Sequence, residues 1–114
     1  MEIKSVRYTI WAKDLERALR FYEALGGVRG TVNPAGCVVT LAGATLFIHS
    51  GGSGEETWTG MTFAVDDVVA GADGVMAAGG TLRRKIEDTE EEPAHLAFCQ
   101  DTEGNQFMLS RPRG

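Results

Sequence analysis

The chain has 114 residues, 43% of them hydrophobic and 24% charged, with a formal net charge of −5. That length suits a single domain spanning 1–114, able to bury roughly two thirds of its unfolded surface, and the composition is that of an ordinary globular protein. The acidic balance argues against a nucleic-acid partner, which wants a basic face, and no apolar run approaches the ~20 residues of a membrane span. The opening stretch MEIKSVRYT has no signal-like apolar core, so a cytoplasmic location is expected. Cys37 and Cys99 stand far apart with no CxxC or Cys/His clustering, and are expected to stay reduced.

In chain order, residues 2–11 alternate as a half-buried strand, with Tyr8 and Ile10 on the core side. Asp14 is a natural N-cap, because its carboxylate can accept from the free N–H groups of a first helical turn. Leu15, Ala18, Leu19, Tyr22 and Leu25 then recur at helical spacing. Gly26 and Gly27 end that helix. Residues 30–34 read as a turn-rich strand or loop. Residues 37–41 and 45–49 read as strands joined by a tight Ala42-Gly43-Ala44 hairpin. The run SGGSGEE over 50–56 reads as a flexible linker.

A second set follows. Residues 58–65 form a fifth strand and 68–78 a second helix, weakened because Gly71 and Gly74 each cost about 1 kcal/mol against alanine. Residues 81–86 and 95–99 read as strands flanking an acidic loop over 87–93. The DTEGN run over 101–105 reads as a turn chosen for local backbone bonding, and 106–110 is the last strand. The two sets are one pattern written twice at an offset of 53, which carries Thr9 to Thr62, Asp14 to Asp67 and Gly26 to Gly79. Two copies are too few for a solenoid, so a pseudo-symmetric pair of β-α-β-β-β modules is expected. Module one covers about 1–50, the linker about 50–57 and module two about 58–112.

The Asp-Leu-Glu-Arg-Ala helix start at 14–18, FYEALGG at 21–27, Val65-Asp66-Asp67-Val68 and DTEGNQFMLS at 101–110 resemble the vicinal oxygen chelate superfamily. That group contains glyoxalases, ring-cleaving dioxygenases, epimerases and bleomycin-resistance proteins. The resemblance covers nearly the whole chain. It implies an α+β fold in which two βαβββ modules form a curved, open, eight-stranded half-barrel, completed as a homodimer, with strands one and five antiparallel neighbours. It also implies metal ligands in the first and last strand of each module. Counting from the helix caps and the DTEGN turn, those positions hold Arg7, Phe47, Gly60 and Met108. Divalent cations need imidazole, carboxylate or thiolate donors, so neither a metal nor any other cofactor is expected.

Strand parity puts Arg7, Thr9, Trp11, Phe47, His49, Thr62, His95 and Met108 on the concave face, away from the helices, and gives Cys99 the same parity. The expected β1–β5 pairing brings Trp58 beside Thr9 and Trp11. The set is mostly apolar with a few polar groups, the usual makeup of a small-molecule site. Arg7 stands where relatives hold a metal and could bind an anionic oxygen, or simply form a salt bridge at the sheet junction. The missing ligands favour metal-free binding of a small planar ligand between Trp11 and Trp58 over catalysis, and leave the question of an enzyme open. The alternative is a small lyase, isomerase or dioxygenase-type enzyme with an atypical metal site, or with metal-free acid–base chemistry by His95 or His49. Each histidine also has a bland reading, as a strand-end side chain bonded to solvent or backbone.

Overall fold

The computed structural model describes residues 1–112. The repeated pattern builds the same succession twice. The first half is β1 (Tyr8–Ala12), α1 (Leu15–Ala24), β2 (Val28–Arg29), β3 (Gly36–Leu41) and β4 (Ala44–Ser50). The second is β5 (Thr57–Ala64), α2 (Val68–Ala77), β6 (Thr81–Leu82), β7 (Leu96–Gln100) and β8 (Asn105–Ser110). Each half is βαβββ, and the class is α+β with two open four-stranded sheets, ordered β1-β4-β3-β2 and β5-β8-β7-β6. In both sheets the first strand of the half runs parallel to the last, a pairing that requires the long crossover which the helix supplies.

Both helices start as their sequences dictate. The Asp14 side chain accepts from the Arg17 N–H, and the Asp67 side chain from those of Val69 and Ala70. α1 buries Ala18, Leu19, Phe21 and Tyr22; α2 buries Val68, Ala72 and Val75. These side chains meet Ile10, Val39, Ile48, Phe107 and Leu109 in one hydrophobic core shared by both halves. Each large apolar side chain buried there contributes about 1.5–3 kcal/mol. Ala42 and Gly43 both have positive φ, the two-residue turn that matches hairpin twist.

Several expected boundaries move. The first strand begins at Tyr8, not residue 2, because its partner β4 begins at Ala44 and Tyr8 already pairs with Leu46. The strand expected over 81–86 stops at Leu82, after pairing with Cys99 and one further bond from the Arg83 N–H to the Phe98 carbonyl. The linker is held in place: the Gly52 N–H donates to the Ala12 carbonyl at 2.9 Å. A Cβ at Gly104 would meet the Glu55 carbonyl, so Gly104, at φ +89°, lets the chain pass close.

The two sheets are not joined by a β1–β5 ladder; each of those strands is the edge of its own sheet. Their meeting point is the Tyr8 hydroxyl, which donates to the Thr59 carbonyl. β5 carries a register shift between Trp58 and Thr62, with Gly60 at φ +77°, and such a bulge ends regular edge pairing.

The DTEGN turn does more than reverse the chain. Asp101 accepts from the Tyr22 hydroxyl at 2.6 Å, the Asn105 amide at 2.9 Å and the backbone N–H groups of Glu103 and Asn105. Glu103 accepts from the Asp14 N–H, the Arg17 guanidinium and the Thr102 hydroxyl. Asn105 also donates to the Trp11 carbonyl at 2.9 Å. All three side chains are buried, and together they clamp the start of β8 to β1 and α1.

Candidate functional site

On the first sheet, cross-strand register puts Thr9, Phe47 and Val38 side by side, then Trp11, His49 and Gly36. This row faces away from the helices, since the alternate residues Ile10, Ala12, Leu46 and Ile48 are buried. Three of its members form a continuous strip with Arg7, the residue before β1. The Arg7 guanidinium lies 4.6 Å above the Phe47 ring. Phe47 meets His49 edge-on at 5.7 Å, and His49 stacks on Trp11 at 4.0 Å. A cation over a ring face is held by the ring quadrupole. Trp11 remains 51% exposed, so the far end of the strip is open to a flat partner. The His49 Nδ1 lies 2.6 Å from the Ser50 carbonyl. That oxygen can only accept, so Nδ1 carries the proton and a neutral His49 keeps its lone pair on Nε2.

The second sheet presents a different row. Thr62, Met108 and Phe98 lie side by side, and Trp58 pairs with Gln106 and Gln106 with Gln100. Trp58 and Phe98 approach to 6.2 Å, and the Arg84 guanidinium lies 4.3 Å over Phe98. Arg84 and Phe98 were not among the residues expected at the site. Placing residues 81–86 in one strand hid the point at which the chain leaves the sheet and turns an arginine over its neighbour.

Trp11 and Trp58 line different hollows. Trp11 lines one of about 290 Å³ with residues 51–55, Thr57 and Asn105. Trp58 lines one of about 380 Å³ with Arg83, Arg84, Phe98 and Gln106. A third cavity, about 680 Å³ and mostly apolar, lies between the halves on the helix side, against Leu25, Leu46, Phe63 and Val75. It offers volume but few directing groups.

Cys99 is corrected in its face. The β7–β8 register pairs Phe98 with Met108, so the even-numbered residues of β7 share the Met108 face. The odd-numbered Ala97 and Cys99 are buried on the other face, and His95 lies one residue before the strand, next to the buried Ala94. It is half-buried, and its carbonyl accepts from the Arg111 N–H. Cys99 is fully buried, and burial pushes its thiol up to about 11, which leaves it an inert core residue.

The positions that the resemblance gives to metal ligands do not fit a divalent cation. Phe47 and Gly60 carry no donor, Met108 has a thioether, and Arg7 brings a positive charge already seated on Phe47. Among the described residues no three His, Cys, Asp or Glu side chains are grouped to hold a metal. No helix among them is long and apolar enough to cross a membrane.

The fold recurs in solved structures. The tetragonal form of the fosfomycin resistance protein FosX from Listeria monocytogenes superposes with a TM-score of 0.79 at 16% identity, covering 100% of this chain and 94% of that one. The same protein complexed with Mn(II) and 1S,2S-dihydroxypropylphosphonic acid gives 0.75 at 17% identity, over 96% and 90%. A glyoxalase/bleomycin resistance protein/dioxygenase family enzyme from Burkholderia phytofirmans gives 0.69 at 19%, over 92% and 95%. At such identities these likenesses speak to the fold alone. No curated protein matches the chain. A family model does, over residues 4–109, and on that match the chain belongs to the glyoxalase/bleomycin resistance protein/dioxygenase superfamily.

Proposed function

We propose that the protein binds a small planar organic molecule without a metal ion and does so as a homodimer. The observation that carries this reading is the Arg7–Phe47 pair at positions given to metal ligands, with Gly60 and Met108 at the others. A guanidinium seated over an aromatic ring offers a fixed positive charge and a fork of donors, and the Trp11 face beside it offers stacking. Thr9, Phe47 and His49 complete the strip on one sheet. Trp58, Thr62 and Met108 stand on the outward row of the other, with His95 at the entry to its third strand. Pairing two copies face to face would close the strip of one over the row of the other and bring Trp11 near Trp58. The edge strands β1 and β5 and the exposed Tyr8, Trp11 and Trp58 support such pairing, since bare edges and apolar faces are usually covered.

The test has three arms. Melting curves with Zn²⁺, Ni²⁺, Mn²⁺ and Fe²⁺ should not move, because a ligand raises the melting temperature only by binding the folded state. A rise abolished by His49→Ala would sink the metal-free reading. Tryptophan-fluorescence titration with aromatic acids and cationic drugs should show quenching that weakens in Arg7→Ala and Trp11→Ala. Sedimentation at micromolar concentration should give twice the chain mass.

One observation favours a second reading, catalysis. His49 holds a proton on Nδ1 through the Ser50 carbonyl and keeps Nε2 for a substrate proton. On that reading His49, not His95, is the base.

A further inference from the structure

We propose that the hollow at Trp58, Phe98 and Arg84 is a binding site for an aromatic monoanion, with the ring stacked on Trp58 and the carboxylate on Arg84. Three observations carry it. The hollow has a volume of about 380 Å³, enough for a one- or two-ring molecule. Its wall is Trp58, 52% exposed and 6.2 Å from Phe98, so a ring face is free for stacking. Its charge is uncompensated on one side only. Arg83 is engaged by Glu56 through two bonds of 2.9 and 3.0 Å, whereas Arg84 touches the Phe98 ring and has no carboxylate partner among the described residues.

The surroundings specify the ligand further. One carboxylate, Glu56, already balances one of the two arginines, so the site takes a single negative charge and gains nothing from a second. Gln106 sits at the junction, its amide reaching Glu56 at 3.4 Å and Gln100 at 3.3 Å. It can turn to a carbonyl or hydroxyl of the ligand at small cost. The overall −5 charge disfavours non-specific anion binding to the surface as a whole, so recognition here rests on the local Arg84 charge. The site shares Trp58 with the proposed ligand face and names the charge class which that wall takes; variants of the two arginines separate the two readings.

The probes are 2-naphthoate and its neutral analogue 2-naphthamide. A Trp11→Phe background leaves Trp58 as the sole tryptophan, so quenching reports on this wall alone, and calorimetry gives the affinities. Naphthoate should quench Trp58 and bind about tenfold more tightly than the amide, the worth of one charge-assisted contact at an open site. Arg84→Gln should remove that preference, and Arg7→Gln should leave it intact. Trp58→Leu should weaken both probes by calorimetry, with an unchanged melting curve because the side chain is exposed. Equal binding of acid and amide, retention of the preference in Arg84→Gln, or no naphthoate binding at millimolar concentration overturns the assignment. Loss of the preference in Arg7→Gln alone moves the anion to the first sheet and leaves the proposed function standing without this site.

Discussion

The outward faces of the two halves share a backbone plan and an inventory, an arginine over a phenylalanine beside a tryptophan, yet they assemble it differently. In the first half the phenylalanine, Phe47, is on β4, and the arginine comes from the approach to β1, the strand paired with β4. In the second half Phe98 is on β7, and the arginine comes from the exit of β6, the strand paired with β7. Val38 and Met108 fill the places that Phe98 and Phe47 leave in the opposite halves. Each arginine therefore arrives from the sheet neighbour of its ring. Sheet adjacency, not the internal repeat, places the charge: the 53-residue offset carries Arg7 to Gly60, which has no side chain at all.

The halves also differ in what fixes them. The first supplies Tyr22, Asp14, Arg17 and the Trp11 carbonyl; the second supplies Asp101, Glu103 and Asn105 as the clamp. Breaking the clamp should have the largest effect on stability. In Asp101→Ala the Tyr22 hydroxyl, the Asn105 amide and two backbone N–H groups lose a buried acceptor. The expected loss is about 3–5 kcal/mol, since each buried donor left unpaired costs about 1–3 kcal/mol and water recovers only part. Urea unfolding measures it. A loss under 1 kcal/mol would mean that the turn is only a turn.

How far the sequence reveals this molecule follows from the range of each interaction. The caps at Asp14 and Asp67, the hairpin at Ala42 and Gly43, and the core stripe of α1 are local, and each was legible within a few residues. The parity of β1 and β4 was legible too, which is why Arg7, Thr9, Trp11, Phe47 and His49 share one face. The clamp joins residues 79 to 94 positions apart, and no periodicity marks such a contact. DTEGN accordingly read as a turn and no more. Cys99 was expected on the outward face, but Phe98 pairs with Met108 and Cys99 is buried; in a strand one residue of difference reverses the face.

The next prediction concerns acid. Burial pushes the Glu103 carboxyl up, but the Arg17 guanidinium, the Asp14 N–H and the Thr102 hydroxyl pull it further down, to a net value below the ordinary one. A depressed carboxylate contributes stability above its unfolded value of ~4.3 and loses it as pH falls through the folded value. Asp101 runs the other way: burial raises it despite its hydrogen bonds, so its contribution is present below ~3.9 and fades as pH rises through the raised value. In Glu103→Gln the depressed group is gone while Asp101 remains. The variant should lose about 1–2 kcal/mol at pH 7, and the gap to the parent should narrow as pH drops below about 4. Unfolding at pH 7 and pH 3 tests this. A gap independent of pH would sever the link between Glu103 ionisation and the clamp.

The smallest effect sharpens the contrast between the helices. α1 is built from good helix formers, whereas α2 carries Gly71 and Gly74 in its interior. A Cβ at Gly74 meets nothing within 4 Å, and its φ is not in the left-handed region. Gly74→Ala should therefore stabilise the protein by about 0.5–1 kcal/mol, through helix propensity and a less mobile unfolded chain. That corresponds to a melting temperature a few degrees higher. Gly71 is the control within the same helix. A Cβ there lies 3.0 Å from Cδ1 of Leu109, a core side chain only 3% exposed, so the leucine must shift and the propensity gain is offset. Gly71→Ala should be neutral or destabilising. If both variants gain equally, the core around Leu109 yields more easily than its packing implies. If neither gains, the glycines of α2 are not what weakens it, and the second half owes its helix to the sheet beneath rather than to its own residues.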